Sequence, residues 1–160
     1  MPQVRIHAHS FLAKVHTDQI GAFAPAVSLE LAPVDAIFVS MGARDRVVCG
    51  QSAFMMEFSE TVSMLRHASH RSLVALHGLG CGTSTKDGEA IAHAVLEHLS
   101  SQIGCRGMFA THHHSLAKKF GRSTQISVKH MACELMAPSA DHRMVHIKCL
   151  YKVAQCGAPR

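Results

Sequence analysis

Tryptophan is absent from the 160 residues, tyrosine occurs once, and aromatic residues make up only 5%. A stacking platform for single-stranded nucleic acid needs aromatic faces interleaved with basic residues, so that class is excluded. No stretch approaches the roughly 18 uninterrupted apolar residues of a membrane span. The longest apolar-rich run, 88–103, is broken by Glu89, His93, Glu97 and His98. The six cysteines (Cys49, Cys81, Cys105, Cys133, Cys149, Cys156) contain no C-x-x-C pair, the usual spacing of a structural zinc site. The opening MPQVRIHAHS has no apolar h-region, so free thiols in a reducing compartment are expected. Three adjacent histidines, His112, His113 and His114, cannot all aim at one ion without a special loop, and no metal site is expected.

What is present is a basic, apolar-rich chain. Apolar residues are 48% and charged residues 17%, which excludes disorder. The length fits one domain. There are 14 histidines and a formal charge of +5, a balance that suits contact with nucleic acid or nucleotide phosphates. Local concentrations of charge are confined to Arg44–Arg46, Lys118–Arg122 and the end of the chain.

The pattern predicts the end of a helix over 8–20 with Gly21 as its stop. Short strands are predicted at 27–31 and 35–42, around Pro33. Ser52 is placed to cap a helix carrying Phe54, Phe58, Val62 and Leu65 as a core stripe. The run SLVAL (72–76) reads as a strand buried on both faces. The loop HGLGCGTSTKDG leads to a helix in which Ile91, Val95, Leu99 and Ile103 step by four; Asp87 is expected to cap it and Gly104 to end it. GMFAT (107–111) is the next strand, and SLAKKF (115–120) a short helix stopped by Gly121. Strands and helices in alternation predict an α/β fold with a parallel sheet. In the tail, Val145, Ile147, Cys149, Tyr151 and Val153 alternate, predicting a half-buried strand at 143–153. It pairs with 124–135 across the turn at 137–142 as an antiparallel hairpin.

Three segments taken together, GARDRVVCGQSAFMMEFSETVSMLRHASHRSLVAL, GCGTSTKDGEAIAHAVLEHL and MFATHHHSL, resemble the ATPase domain of the MutS family of DNA mismatch-repair proteins. They come in that family's order and spacing and cover about residues 15–153. HMAC (130–133) and the strand ending in LYK (150–152) are most similar to the eukaryotic MutS-homolog 6 branch. The resemblance implies a partial ABC-type P-loop NTPase fold, mainly parallel sheet flanked by helices with a C-terminal antiparallel hairpin. Over 1–160 it implies a signature loop at 42–60, a degenerate Walker B strand at 72–78, a switch histidine at 112 and the hairpin at 124–153.

The family's signature serine falls on Ser52, preceded by Gly50, in the loop that touches the γ-phosphate of a partner's ATP. A hydroxyl at a helix N-terminus suits a phosphate; Ala53 stands where the family usually has threonine. The switch histidine falls on His112, implied to be catalytic, and His113 stands where the family usually has an aromatic residue. The Walker B carboxylates fall on His77 and Gly78. Neutral imidazole is a poor ligand for Mg²⁺, which wants oxygen, and glycine has no side chain to position water. The usual arginine is replaced by Cys81. Residues 1–14 contain no glycine and so no Walker A loop; the chain is expected to be truncated relative to the family domain.

The resemblance thus implies ATP and Mg²⁺ as cofactors, though not held by this chain alone. It implies a MutS-homolog subunit as heterodimer partner and a nuclear location. Mismatched DNA is met through the full-length architecture, and no membrane is involved. Hydrolysis by this chain alone is not expected. Two alternatives stand beside the enzyme: a non-catalytic dimerisation module completing a partner's ATP site in trans, and an inactive gene fragment. A sheet lacking its P-loop strand leaves an edge open, so low solubility is expected.

Overall fold

The computed structural model describes residues 13–15, 17–23, 28, 30–41, 53–136 and 146–155. The chain divides into two compact units, Met1–Leu116 and Ala117–Arg160.

The first unit is built on three parallel strands. β1 (Ile37–Met41), β2 (Leu73–His77) and β3 (Arg106–Ala110) lie in that spatial order, with Ile37 opposite Leu73 and Leu73 opposite Arg106. Helix α1 (Ala53–His67) joins β1 to β2, and α2 (Thr85–Glu97) joins β2 to β3. β2 is the middle strand, and Leu73, Val74, Ala75 and Leu76 are all buried. A strand covered on both faces reads as a continuous apolar run rather than an alternating one, as SLVAL does. Met64 from α1, Val74 and Leu76 from β2, Leu79 after it, and Val95 and Leu99 form one core cluster, with Phe38, Ile91 and Ile103 against it. Lost burial there costs about 2–5 kcal/mol per large-to-small change.

Four expectations are corrected. The first of the two predicted strands is missing: Ser28, Glu30 and Leu31 are not in strand, and β1 begins only at Ile37. Among the described residues nothing pairs with that segment, and a strand without a partner leaves its ladder groups unmet. On α1 the buried face is Glu57, Thr61 and Met64, while Phe58 is 44% exposed. The apolar stripe was read one position off, because it is polar Glu57 that turns inward. α2 starts at Thr85, and its N-cap is Ser84 rather than Asp87. Ser84 Oγ accepts the Asp87 N–H at 3.3 Å and donates to the Asp87 carboxylate at 2.6 Å, a reciprocal cap like the capping box. The last turn, His98–Ile103, winds as a π-helix. Ser100 and Ser101 both donate to the Glu97 carbonyl, where side-chain bonds compete with the backbone ladder. Gly104 then ends the helix as expected, at φ 69.

α3 (His114–Phe120) follows β3 and ends before the turn at Gly121. The second unit carries the expected antiparallel pair, β4 (Lys129–Met136) and β5 (His146–Gln155). The turn expected at 137–142 lies outside the described residues. Of the expected inward positions on β5, Val153 is corrected. The register changes between Met131 and Cys133: their partners are Val153 and Cys149, so β5 advances four residues where β4 advances two. A bulge of this kind breaks the two-residue period. Val153 is 50% exposed, and among the described side chains of β5 Leu150 and Ala154 are partly covered.

Candidate functional site

Parallel α/β sheets bind ligands beyond the carboxyl ends of their strands. In the first unit that edge is defined by Met41, His77 and Ala110, which lie in register across the three strands. Two loops rise from it. The loop after β2 begins with Gly78 at φ 76, a left-handed conformation that glycine adopts without a Cβ penalty. The Gly78 N–H donates to the Ala110 carbonyl at 2.9 Å, and the Cys81 N–H donates to the Gly78 carbonyl at 3.1 Å. Gly80, at φ 85, lies so close to α2 that a Cβ there would sit 2.5 Å from the Gly88 carbonyl oxygen. The loop after β3 is Thr111-His112-His113. The His113 N–H donates to Thr111 Oγ1 at 3.0 Å, and His113 Nε2 is buried with no hydrogen-bond partner.

These loops bring two of the sequence candidates together. The rings of His77 and His112 meet edge to face, with centroids 6.2 Å apart and planes at 82°. His112 is exposed and His77 half-buried. Gly78 is adjacent in the backbone and contributes no side chain. Gly50 and Ser52, with the loop from 42 to 52, lie outside the described residues.

One buried carboxylate beside the site escaped the sequence reading. Glu57 is 7% exposed, and its Oε1 accepts the Gly80 N–H at 3.1 Å. Burial is the main cause that lifts its carboxyl above the ordinary value; the bond from Gly80 pulls the other way, and Glu60 adds to the rise. Glu57 thus ties the first half of α1 to the loop that follows His77. Its spacing with Thr61 and Met64 was the available signal. Glu60, on the next exposed position, accepts a bond from Ser40 Oγ at 2.9 Å. A groove of about 290 Å³ lies there between β1 and α1, away from His77 and His112. Burial, and then the charge of Glu57, push the Cys81 thiol up, so Cys81 is a poor nucleophile near neutral pH.

The donor set tests what the site can hold. Mg²⁺ wants near-octahedral oxygen ligands, but β2 ends in an imidazole and a glycine. The nearby carboxylate, Glu57, is buried and engaged by Gly80. Among the described residues no group of three His, Cys, Asp or Glu side chains is arranged to hold a metal. The described residues do not fit Mg²⁺.

MutS domain V matches residues 10–160. The chain belongs to the MutS family. It is similar to the DNA mismatch repair protein MSH6 of Arabidopsis thaliana, 50% identical over 117 residues, which is 73% of this chain and 9% of that protein. It is 41% identical over 142 residues to human DNA mismatch repair protein Msh6, covering 89% of this chain and 10% of that protein. The bacterial DNA mismatch repair protein MutS of Roseiflexus castenholzii is 42% identical over 144 residues, covering 89% and 13%. The chain therefore spans roughly a tenth of the length of these curated relatives. MutS domain V is an ATPase-type domain, and the α/β architecture with parallel strands, flanking helices and an antiparallel strand pair agrees with it. Among the described residues no helix is long and apolar enough to cross a membrane.

Proposed function

We infer that this chain acts in DNA mismatch repair as the ATPase-type domain of a MutS-type protein, with a catalytic edge that does not hydrolyse ATP. The observation that carries this reading is the end of β2. There His77 and the left-handed Gly78 stand at the catalytic edge, and among the described residues no cluster of carboxylates is arranged to hold Mg²⁺. Phosphoryl transfer depends almost wholly on such positioning and charge stabilisation. His112, beside His77, keeps the place of a γ-phosphate sensor, but an imidazole pair cannot replace two carboxylates.

The chain then works as the non-catalytic half of a pair. It docks on a MutS-homolog subunit in the nucleus, a reading supported by the similarity to eukaryotic Msh6 proteins. Gly50 and Ser52 are offered to the γ-phosphate of ATP and its Mg²⁺ held by that partner. The Glu57 bond to Gly80 holds the helix after the signature loop against the loop after β2. Mismatched DNA is met through the other domains of a full-length MutS architecture.

The test adds the purified chain to a MutS-homolog subunit and follows co-elution and the partner's ATP turnover. Co-elution with a changed rate is expected, and Ser52→Ala should remove the rate change while leaving co-elution intact. If neither co-elution nor a rate change occurs, the chain is an inactive gene fragment and the reading fails.

A further inference from the structure

The second unit sets two cysteine positions opposite each other in the strand register. The register of β4 and β5 places Cys149 directly opposite Cys133, on the far side of the register change from Met131. Cys133 is a free, exposed thiol. Directly opposed residues of an antiparallel pair have Cα atoms about 4.5 or 5.5 Å apart. Disulfides span Cα separations of about 4.4–6.8 Å, so directly opposed positions such as these meet the Cα requirement for a bond.

The cysteines described in the first unit have a different character. Burial raises the Cys105 thiol, whose Sγ–H points to the Leu99 carbonyl. Burial and Glu57 raise the Cys81 thiol. A raised thiol carries little thiolate, and the thiolate is what attacks a disulfide.

We propose that Cys133 and Cys149 are a reversible redox modification site, oxidised to a cross-strand disulfide by a glutathione-class disulfide. The exposed Cys133 thiolate attacks one sulfur of oxidised glutathione and expels a glutathione thiolate. The Cys149 thiolate then attacks Cys133 Sγ in the mixed disulfide and expels the second. Two protein thiols are oxidised, one oxidised glutathione is reduced to two glutathione molecules, and the two thiol protons leave to solvent and the departing thiolates. The bond staples β4 to β5 near the middle of the pair. Because Cys133 is exposed, the link is open to the reverse attack by reduced glutathione at that sulfur, so the staple opens and closes with the redox poise. This inference stands independently of the nucleotide reading.

The experiment equilibrates the full chain in buffers of stepped reduced-to-oxidised glutathione ratio. Samples are quenched in acid, alkylated, and read by intact mass and tryptic mapping. Trypsin cuts after Lys129, Arg143, Lys148 and Lys152, so the disulfide joins fragment 130–143 to fragment 149–152. Loss of two alkylatable thiols together with that linked pair is expected, reversed by excess reduced glutathione. Cys133→Ser and Cys149→Ser should each abolish the linked pair. Because the two cysteines are also near in sequence, the titration is repeated in 8 M urea, an assay condition chosen to remove the strands. At least a tenfold weaker tendency to form the pair is expected there. Equal tendency in urea would overturn the proposal, as would glutathione adducts on Cys133 without the linked pair, or pairing of Cys133 with any other cysteine.

Discussion

Truncating Glu57 measures what the loop after β2 gains from its tie to α1. In Glu57→Ala the buried Gly80 N–H loses the acceptor now 3.1 Å away, a cost of about 1–3 kcal/mol for an unmet buried donor. One methylene also leaves a largely buried position, at about 0.8 kcal/mol. Removing the charge acts the other way, because burial and Glu60 both disfavour the carboxylate. The net loss expected is about 1–3 kcal/mol. Glu57→Gln keeps an acceptor for Gly80 and removes the charge, so it should fall within about 1 kcal/mol of the parent at neutral pH. The chain has no tryptophan, so urea unfolding is followed by far-UV circular dichroism. The pH dependence gives a second readout. Glu57 has a folded value raised above the ordinary 4.5. Its contribution is therefore most favourable below 4.5 and is lost as pH rises through the folded value; Glu57→Gln should abolish that decline. A Gln variant as costly as the Ala variant would refute the reasoning, since the acceptor would then not be what matters.

Gly80→Ala should cost about 2–5 kcal/mol, from left-handed strain plus overpacking, because its Cβ would meet the Gly88 carbonyl at 2.5 Å. Gly104→Ala, also left-handed but with nothing within 4 Å, should cost only about 1–2 kcal/mol; equal losses in urea melts would mean the contact with Gly88 is not tight. Asp35 accepts bonds from Ser69 and from Ser72, the latter at 2.7 Å, and these hold its carboxyl below the ordinary 3.8. The stability it adds is present above 3.8 and lost as pH falls through the lower folded value. Asp35→Asn should flatten that acid limb in thermal melts, and an unchanged limb would count against the bonds.

What was legible follows from how strongly each position is constrained. SLVAL announced the central strand because burial on both faces leaves only apolar residues there. The four-residue step from Ile91 to Ile103 and the glycine after it located the second long helix, because helix length and a left-handed stop both leave marks on a sequence. The inward face of α1 was missed because its key residue is a carboxylate, and polarity normally signals solvent. Only the position of the Gly80 N–H, from a loop 23 residues further on, makes that burial tolerable. Ser84 and Asp87 both have the chemistry of a cap, and backbone geometry decides between them. The register change between β4 and β5 belongs to their pairing, a relation no single strand records. At the site, His77 and His112 were placed at two strand ends by family resemblance, and the fold brings their rings together. Gly50 and Ser52, outside the described residues, rest on the resemblance.

The central claim is that the edge of the sheet at His77, Gly78 and His112 cannot hydrolyse ATP. Its most direct test is steady-state phosphate release by the purified chain with ATP and Mg²⁺. The account predicts no release above the protein-free background, unchanged in His112→Ala. Turnover above background that His112→Ala abolishes would contradict it.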